Sequence, residues 1–144
     1  MKITIYNILS YISYILVIIG SYYGINAIEK NNTEDGLNKF IQIGIMPLLF
    51  IGFIRHTLLA GNIFKSHPFF EMEAGGANLG IFVGLLVGYL INIGQRAISC
   101  ILLIFLVYLS IAAITSLYYK GKLVLLRFVP ILGIITYFVV KGLQ

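Results

Sequence analysis

Most of the side chains that could do chemistry in this sequence lie between residues 55 and 80. Six of them are candidates for binding a ligand or relaying a proton: Arg55, His56, His67, Glu71, Glu73 and Asn78. Histidine titrates near physiological pH, so a histidine beside a carboxylate can take up a proton and pass it on. A polar side chain inside an apolar helix is costly unless it has a partner, and this cost marks the group as a candidate functional site.

The acids and the arginine of this group are expected to face each other across a helical hairpin that turns near Ser66. At a rise of about 1.5 Å per residue, Arg55 lies about 16 Å from the turn and Glu73 about 10 Å from it. An unpaired arginine at that depth would cost about 2.5–3.5 kcal/mol. The sequence therefore predicts an ion pair from Arg55 to Glu71 or Glu73. Four further residues can complete a hydrogen-bonded network around it: His56, Asn62, His67 and Asn78.

A simpler interpretation gives both acids a structural role at the start of a helix. Ser66 is a suitable N-cap, and Pro68 suits the first helical turn, where its missing N–H costs nothing. Glu71 and Glu73 then lie in the opening turns, where the helix dipole favours negative charge. The structural and the functional interpretations both remain open at this point.

Neither a metal nor another cofactor is predicted, and no catalytic residue is assigned. His56, Glu71 and Glu73 are of metal-ligating types, but they lack the regular spacing of a known metal site. The sequence contains no glycine-rich phosphate loop, nucleophile elbow or His-Glu-x-x-His motif. The single cysteine, Cys100, lies in an apolar run and is expected to act as a small apolar filler.

A stripe of glycines follows the acids at every fourth position: Gly76, Gly80, Gly84 and Gly88. Residues four apart share one face of a helix, and small residues on that face let a second helix approach closely. The stripe therefore predicts a helix-packing face. Tight packing within the chain is the favoured interpretation, and a seam between two chains is the alternative.

The composition predicts that these residues sit in a membrane protein. Hydrophobic residues make up 60% of the 144 positions and charged residues only 10%, against roughly a quarter charged in soluble domains. The net charge of +5 comes from basic residues placed singly near the ends of apolar runs, where they contact lipid headgroups. The expected partners are therefore the lipid bilayer and a second copy or another membrane protein, and nucleic acid is excluded.

Five apolar runs predict an all-α fold, a polytopic transmembrane helix bundle of about five antiparallel spans. A span needs about 20 mainly apolar residues, and the runs cover residues 3–28, 40–64, 68–93, 97–119 and 123–140. Residues 29–39 are expected to form a solvated loop, with a helical turn that can begin at Asn32 or Thr33. Gln95 and Arg96 are expected to form a tight turn. Residues 1–144 are expected to form a single transmembrane domain, with the first span uncleaved.

The distribution of lysine and arginine favours an amino terminus on the cytoplasmic side. Cytoplasmic loops carry an excess of these residues, and the side of the membrane that holds Lys2, Lys65, Lys120 and Lys122 has a small excess. The expected location is the inner (cytoplasmic) membrane of a bacterium.

The run from Pro68 to Gly80, with Arg55-His56 and Gly61 upstream, resembles an uncharacterised family of small bacterial multi-pass integral membrane proteins. The pattern of that family is Pro-Phe-x-x-Glu-x-Gly-x-Ala-Asn-Leu-x-x-Gly, after a histidine-bearing helix. The resemblance covers about 35 residues, and either Glu71 or Glu73 can be aligned with the glutamate of the family. It implies a multi-pass helical protein with its polar motif where the second helix meets the third, and it implies no particular activity.

Three functions are compatible with these features. The first, which we favour, is a non-catalytic membrane subunit or scaffold packed through the glycine-striped helix. The second is a small proton-coupled transporter that uses Arg55, Glu71, Glu73 and a histidine. The third is a membrane enzyme that acts on a lipid or a quinone, with the polar cluster supplying acid and base groups.

Overall fold

The computed structural model describes residues 2–30, 32–60, 68–120 and 128–142, and within these ranges the chain is almost entirely helical and has no β-strand. This confirms the predicted all-α class. The α-helices are α1 (Lys2–Glu29), α2 (Thr33–Lys39), α3 (Met46–Ile54), α4 (Pro68–Leu90), α5 (Gln95–Lys120) and α6 (Phe128–Gly142). The π-helix π1 (Phe40–Ile45) joins α2 to α3, and a second π-helix, π2 (Arg55–Ala60), extends α3. Residues 33–60 thus form one continuous helix, which we call the second helix.

Four helices among the described residues are long and apolar enough to cross a membrane, as expected for an integral membrane protein. These candidate spans are Thr4–Glu29, Glu34–Leu59, Glu71–Leu90 and Gln95–Thr115. The fifth predicted span is represented in the described chain by a shorter apolar helix, Phe128–Val139.

The second helix begins at Thr33, not near residue 40, so most of the predicted loop is helical. Asn32 is the N-cap, and its side-chain oxygen accepts a hydrogen bond from the backbone N–H of Asp35 at 3.3 Å. Asp35 also pairs with Lys39 across one helical turn, at 2.6 Å. A good cap and an ion pair allow this polar stretch to form helix, while Leu37 is buried against the rest of the protein.

The turn after α4 lies earlier than predicted. Residues 91–94 form it, and Gln95 is already the first residue of α5. Asn92 and Gly94 have positive φ angles of 52° and 86°, which asparagine and glycine tolerate better than other residues. These two residues therefore end α4, whereas the polarity of Gln95 and Arg96 had suggested the turn there.

Pro47 lies inside the continuous helix, directly after the π-helix π1. A proline has no N–H, and its ring clashes with the carbonyl four residues earlier. Ahead of the proline, the backbone N–H of Met46 bonds to the carbonyl of Ile41, five residues back. The wider π-helical turn thus accommodates the proline without ending the helix.

The described chain contains two compact units, and the boundary between them falls within α4, between Leu86 and Val87. In the first unit, the buried core includes residues of α1, π1, α3 and α4, among them Val17, Ile41, Ile45, Leu49 and Leu85. In the second unit, α5 and α6 bury Leu102, Phe105, Ile134 and Tyr137. The hydroxyl oxygens of Ser99 and Tyr137 lie 2.9 Å apart in that second core. The single domain stays a prediction.

Glycines bring α1 very close to the helix that follows it. A Cβ atom added to Gly20 would lie 2.7 Å from the backbone nitrogen of Gly44, and one added to Gly36 would lie 2.5 Å from the carbonyl oxygen of Gly24. All four glycines are buried. Since the atoms they meet belong to the backbone, only glycine fits at Gly20 and Gly36 without moving a helix. We call these four residues the glycine seam: Gly20, Gly24, Gly36 and Gly44.

Candidate functional site

The second helix and α4 are joined by a polar contact between His56 and Glu71. The Nδ1 atom of His56 lies 2.6 Å from the Oε2 atom of Glu71, at hydrogen-bonding distance. The side chain of His56 is 26% exposed and that of Glu71 is 14% exposed, so the contact is largely buried in the protein. His56 lies in π2 and Glu71 near the start of α4. A protonated His56 makes this contact an ion pair, and a neutral His56 makes it a hydrogen bond to the carboxylate.

Small and β-branched residues let the two helices approach at this contact. Gly75, one turn after Glu71, is buried, and an added Cβ there would lie 3.1 Å from the Cγ2 atom of Thr57. The Thr57 hydroxyl donates to the backbone carbonyl of Phe53 in its own helix. A π-helix widens the backbone locally and is often found at functional sites, and π2 carries both His56 and Thr57 toward α4.

Arg55 faces α1, so the ion pair predicted between Arg55 and a glutamate is wrong. Its guanidinium carbon lies 4.3 Å from the centre of the Tyr6 ring, a cation–π contact. Neighbouring residues in a helix point in different directions, so when His56 faces α4, Arg55 is turned toward α1. The Nε atom of Arg55 is buried and has no hydrogen-bond partner in the described part of the chain.

Glu73 is exposed and takes no part in the contact between His56 and Glu71. Asn78 is buried, 6% exposed, and its side-chain amide donates to the backbone carbonyl of Ala74 at 2.9 Å. The same amide packs on Gly52 of α3, where an added Cβ would lie 3.1 Å from Asn78 Nδ2. Asn78 therefore supports the packing of α4 against α3. Asn62, Ser66 and His67 fall outside the described residues.

The predicted glycine stripe of α4 has two different surroundings. Gly76 and Gly80 are exposed, and no atom of the described residues lies within 4 Å of a Cβ added to either one. Gly84 is half-buried. Gly88 is buried, and an added Cβ there would lie 2.8 Å from Ile93 and 3.0 Å from Ile98. Close packing inside the described chain is thus present at Gly88 and absent at Gly76 and Gly80.

Five of the six predicted site residues are described, and among these five the structure places His56 and Glu71 in contact with each other. Two residues near this site were not predicted, Tyr6 and Thr57. No short-range signal in the sequence points to Tyr6, since its contact with Arg55 depends on the register between α1 and the second helix. The glycine seam was also missed, although the four-residue spacing of Gly20 and Gly24 is a signal of the same kind as the stripe on α4.

The described residues contain no group of three side chains that could hold a metal ion. The contact between His56 and Glu71 can hold one proton between an imidazole and a carboxylate, and it can stabilise the packing of two spans. Comparisons with protein-family models, with curated proteins and with solved structures find no match to this chain.

Proposed function

We propose that this chain is a non-catalytic subunit or scaffold of a bacterial cytoplasmic membrane, with its amino terminus in the cytoplasm. In this proposal it assembles with a second copy of itself or with another membrane protein through the glycine face of α4, defined here as Gly76, Gly80 and Val83. The observation that carries the proposal is the space beside Gly76 and Gly80 that no described residue fills.

The physical argument concerns what glycine contributes on an exposed helix face. Glycine costs about 1 kcal/mol relative to alanine in a helix interior, and lipid tails offer nothing in return because they pack as well against alanine. A second helix can repay this cost by approaching closely and forming extensive van der Waals contacts. Gly76 and Gly80 are one turn apart on the same face, and Val83, 44% exposed, extends that face along the helix.

The polar residues support a structural role for the region. His56 and Glu71 contact each other, and the Asn78 amide bonds to the backbone of its own helix. Buried polar groups that are partnered inside a membrane protein fix the packing of its helices. We interpret the contact between His56 and Glu71 as a clasp that holds α4 against the second helix and so presents the glycine face.

The proposal is tested by following assembly in membranes that contain two differently tagged copies of the chain, together with chemical cross-linking to detect other partners. Gly80→Leu fills the open face, and Gly84→Leu adds bulk further along the stripe. We expect both variants to lose most of the co-purified or cross-linked partner while remaining folded. The matched control is Cys100→Leu, which adds bulk at an exposed position on α5. Assembly at wild-type levels in both glycine variants would contradict the proposal.

A proton-coupled transporter is the second candidate, and the short contact between His56 and Glu71 is the observation that favours it. An imidazole 2.6 Å from a carboxylate within two candidate spans can carry a proton. In that case Glu71→Gln would abolish flux driven by a proton gradient in liposomes, and the exposed Glu73→Gln would not. Flux that does not respond to the gradient would contradict this function.

A further inference from the structure

Arg55 is an arginine of the second candidate span, Glu34–Leu59, and it forms no ion pair with any acid of the described chain. The carboxylate of Glu71 is in contact with His56 at 2.6 Å, and Glu73 makes no ion pair with any described residue. A membrane-embedded arginine without an acid needs another source of negative charge.

The contact with Tyr6 holds the Arg55 side chain in place and leaves its terminal N–H groups able to donate hydrogen bonds. The guanidinium lies over the face of the ring, 4.3 Å from its centre. A guanidinium stacks through its flat face, whereas its five N–H groups point outward around its edge. The contact with the face of the Tyr6 ring therefore holds the guanidinium in place without using a hydrogen-bond acceptor, so that its N–H groups can still bind one. Since Nε is covered by protein, the acceptor must come to the terminal N–H groups of this half-buried side chain.

The position of the pair along the spans identifies the class of acceptor. Tyr6 lies four residues after Lys2 in α1, and single lysines at the ends of apolar runs mark the headgroup layer. Arg55 lies at the level of Tyr6, because its guanidinium is over the Tyr6 ring. Four residues correspond to about 6 Å of helix, a distance that an arginine side chain covers when it reaches toward the headgroup layer. The acceptors in that layer are lipid phosphates, and a guanidinium binds phosphate through two parallel hydrogen bonds.

We infer that Arg55, held on the ring of Tyr6, binds the phosphate of an anionic lipid headgroup. The site lies between α1 and the second helix, so that the bound lipid covers the end of the contact between these helices. This inference is independent of the proposed assembly through α4, because it involves neither the glycine face nor a second protein.

The test measures lipid binding to the purified full chain by native mass spectrometry with three probes. Phosphatidylglycerol carries both the phosphate and the acyl chains, diacylglycerol with the same chains lacks the phosphate, and inorganic phosphate lacks the chains. We expect the protein to retain phosphatidylglycerol at least about tenfold more tightly than diacylglycerol. Arg55→Gln should abolish the preference for phosphatidylglycerol over diacylglycerol. The control Arg96→Gln, at an exposed arginine of α5, should retain this preference.

Two further variants keep the inference testable if Arg55→Gln does not fold. Tyr6→Leu retains the charge but removes the stacking surface, and we expect about two- to fivefold weaker retention of phosphatidylglycerol. Arg55→Lys retains the charge without the planar edge, so it should give an intermediate preference. Wild-type preference in all Arg55 and Tyr6 variants, or equal retention of the two lipids by the native protein, would overturn the inference. Complete displacement of phosphatidylglycerol by millimolar inorganic phosphate would assign the site to a free anion and overturn the lipid assignment.

Discussion

Two pairs of glycines in this protein, Gly20/Gly24 in the glycine seam and Gly76/Gly80 on α4, have the same four-residue spacing and opposite surroundings. In the glycine seam, backbone atoms of the facing helix lie 2.5–2.7 Å from where a Cβ of Gly36 or Gly20 would be. On α4, Gly76 and Gly80 have no atom of the described chain within 4 Å of an added Cβ. The seam is therefore filled within the chain, and the α4 face is open.

The difference shows that the spacing of glycines identifies a helix face made of small residues, but does not show whether another helix packs against that face. The seam closes because glycines on the second helix, Gly36 and Gly44, face the pair on α1, so both backbones can approach. The α4 face has no such matching set in the described chain. Instead, α4 is held on another side by the clasp and by Asn78 on Gly52.

The largest expected effect is at the seam, with the variant Gly36→Ala. Its Cβ would lie 2.5 Å from the carbonyl oxygen of Gly24, which is backbone and cannot rotate away. Overpacking of this kind costs about 1–3 kcal/mol or more, measured as the free energy of unfolding in detergent. Truncating the flexible neighbour, in Gly36→Ala/Ile28→Ala, should not restore stability. A stable single variant would show that α1 and the second helix are not in close contact.

The next effect is expected at the clasp, with the variant Glu71→Gln. Removing the carboxylate weakens the 2.6 Å contact with His56, and because the pair is partly exposed we expect a loss of about 1 kcal/mol in the free energy of unfolding. The matched control is Glu73→Gln, two residues away and exposed, which should leave stability unchanged. Equal effects of the two substitutions would show that the clasp does not hold α4.

A smaller effect is expected where α4 meets α3, and a double-mutant cycle isolates it. Gly52→Ala would bring a Cβ to 3.1 Å from the Asn78 amide, and a side chain can adjust to this more readily than backbone can. We expect a loss below about 1 kcal/mol, part of which disappears in Gly52→Ala/Asn78→Ala because the crowded group is gone. Strictly additive losses would mean that these residues do not touch.

The smallest effect on stability is expected on the open face, with Gly76→Ala. The new methyl group meets no described atom, and alanine favours helix over glycine by about 0.5–1 kcal/mol. The isolated chain should therefore unfold at the same free energy or be slightly more stable, as measured by denaturant titration. A clear loss of stability would show that this face is packed within the chain.

The helices could be predicted from the sequence, and most of the contacts between them could not. Continuous apolar runs identify spans because the bilayer sets their length, and the capping potential of Asn32 was recognised although the helix that it starts was not. The partners of Arg55 could not be predicted because distance along a hairpin does not determine direction around a helix. The π-helical turns of the second helix change that direction further, so Arg55 meets Tyr6 and His56 meets Glu71.

The most direct test of the contrast between the two glycine sets compares Gly20→Ala with Gly80→Ala in one detergent, by the free energy of unfolding. Both substitutions add one methyl group to a helical glycine. An added Cβ at Gly20 would lie 2.7 Å from the backbone of Gly44, and one at Gly80 would meet no atom of the described residues within 4 Å. We predict a loss of at least about 1–3 kcal/mol for Gly20→Ala and none for Gly80→Ala. Equal losses, or a larger loss at Gly80, would contradict the assignment of a closed seam and an open face.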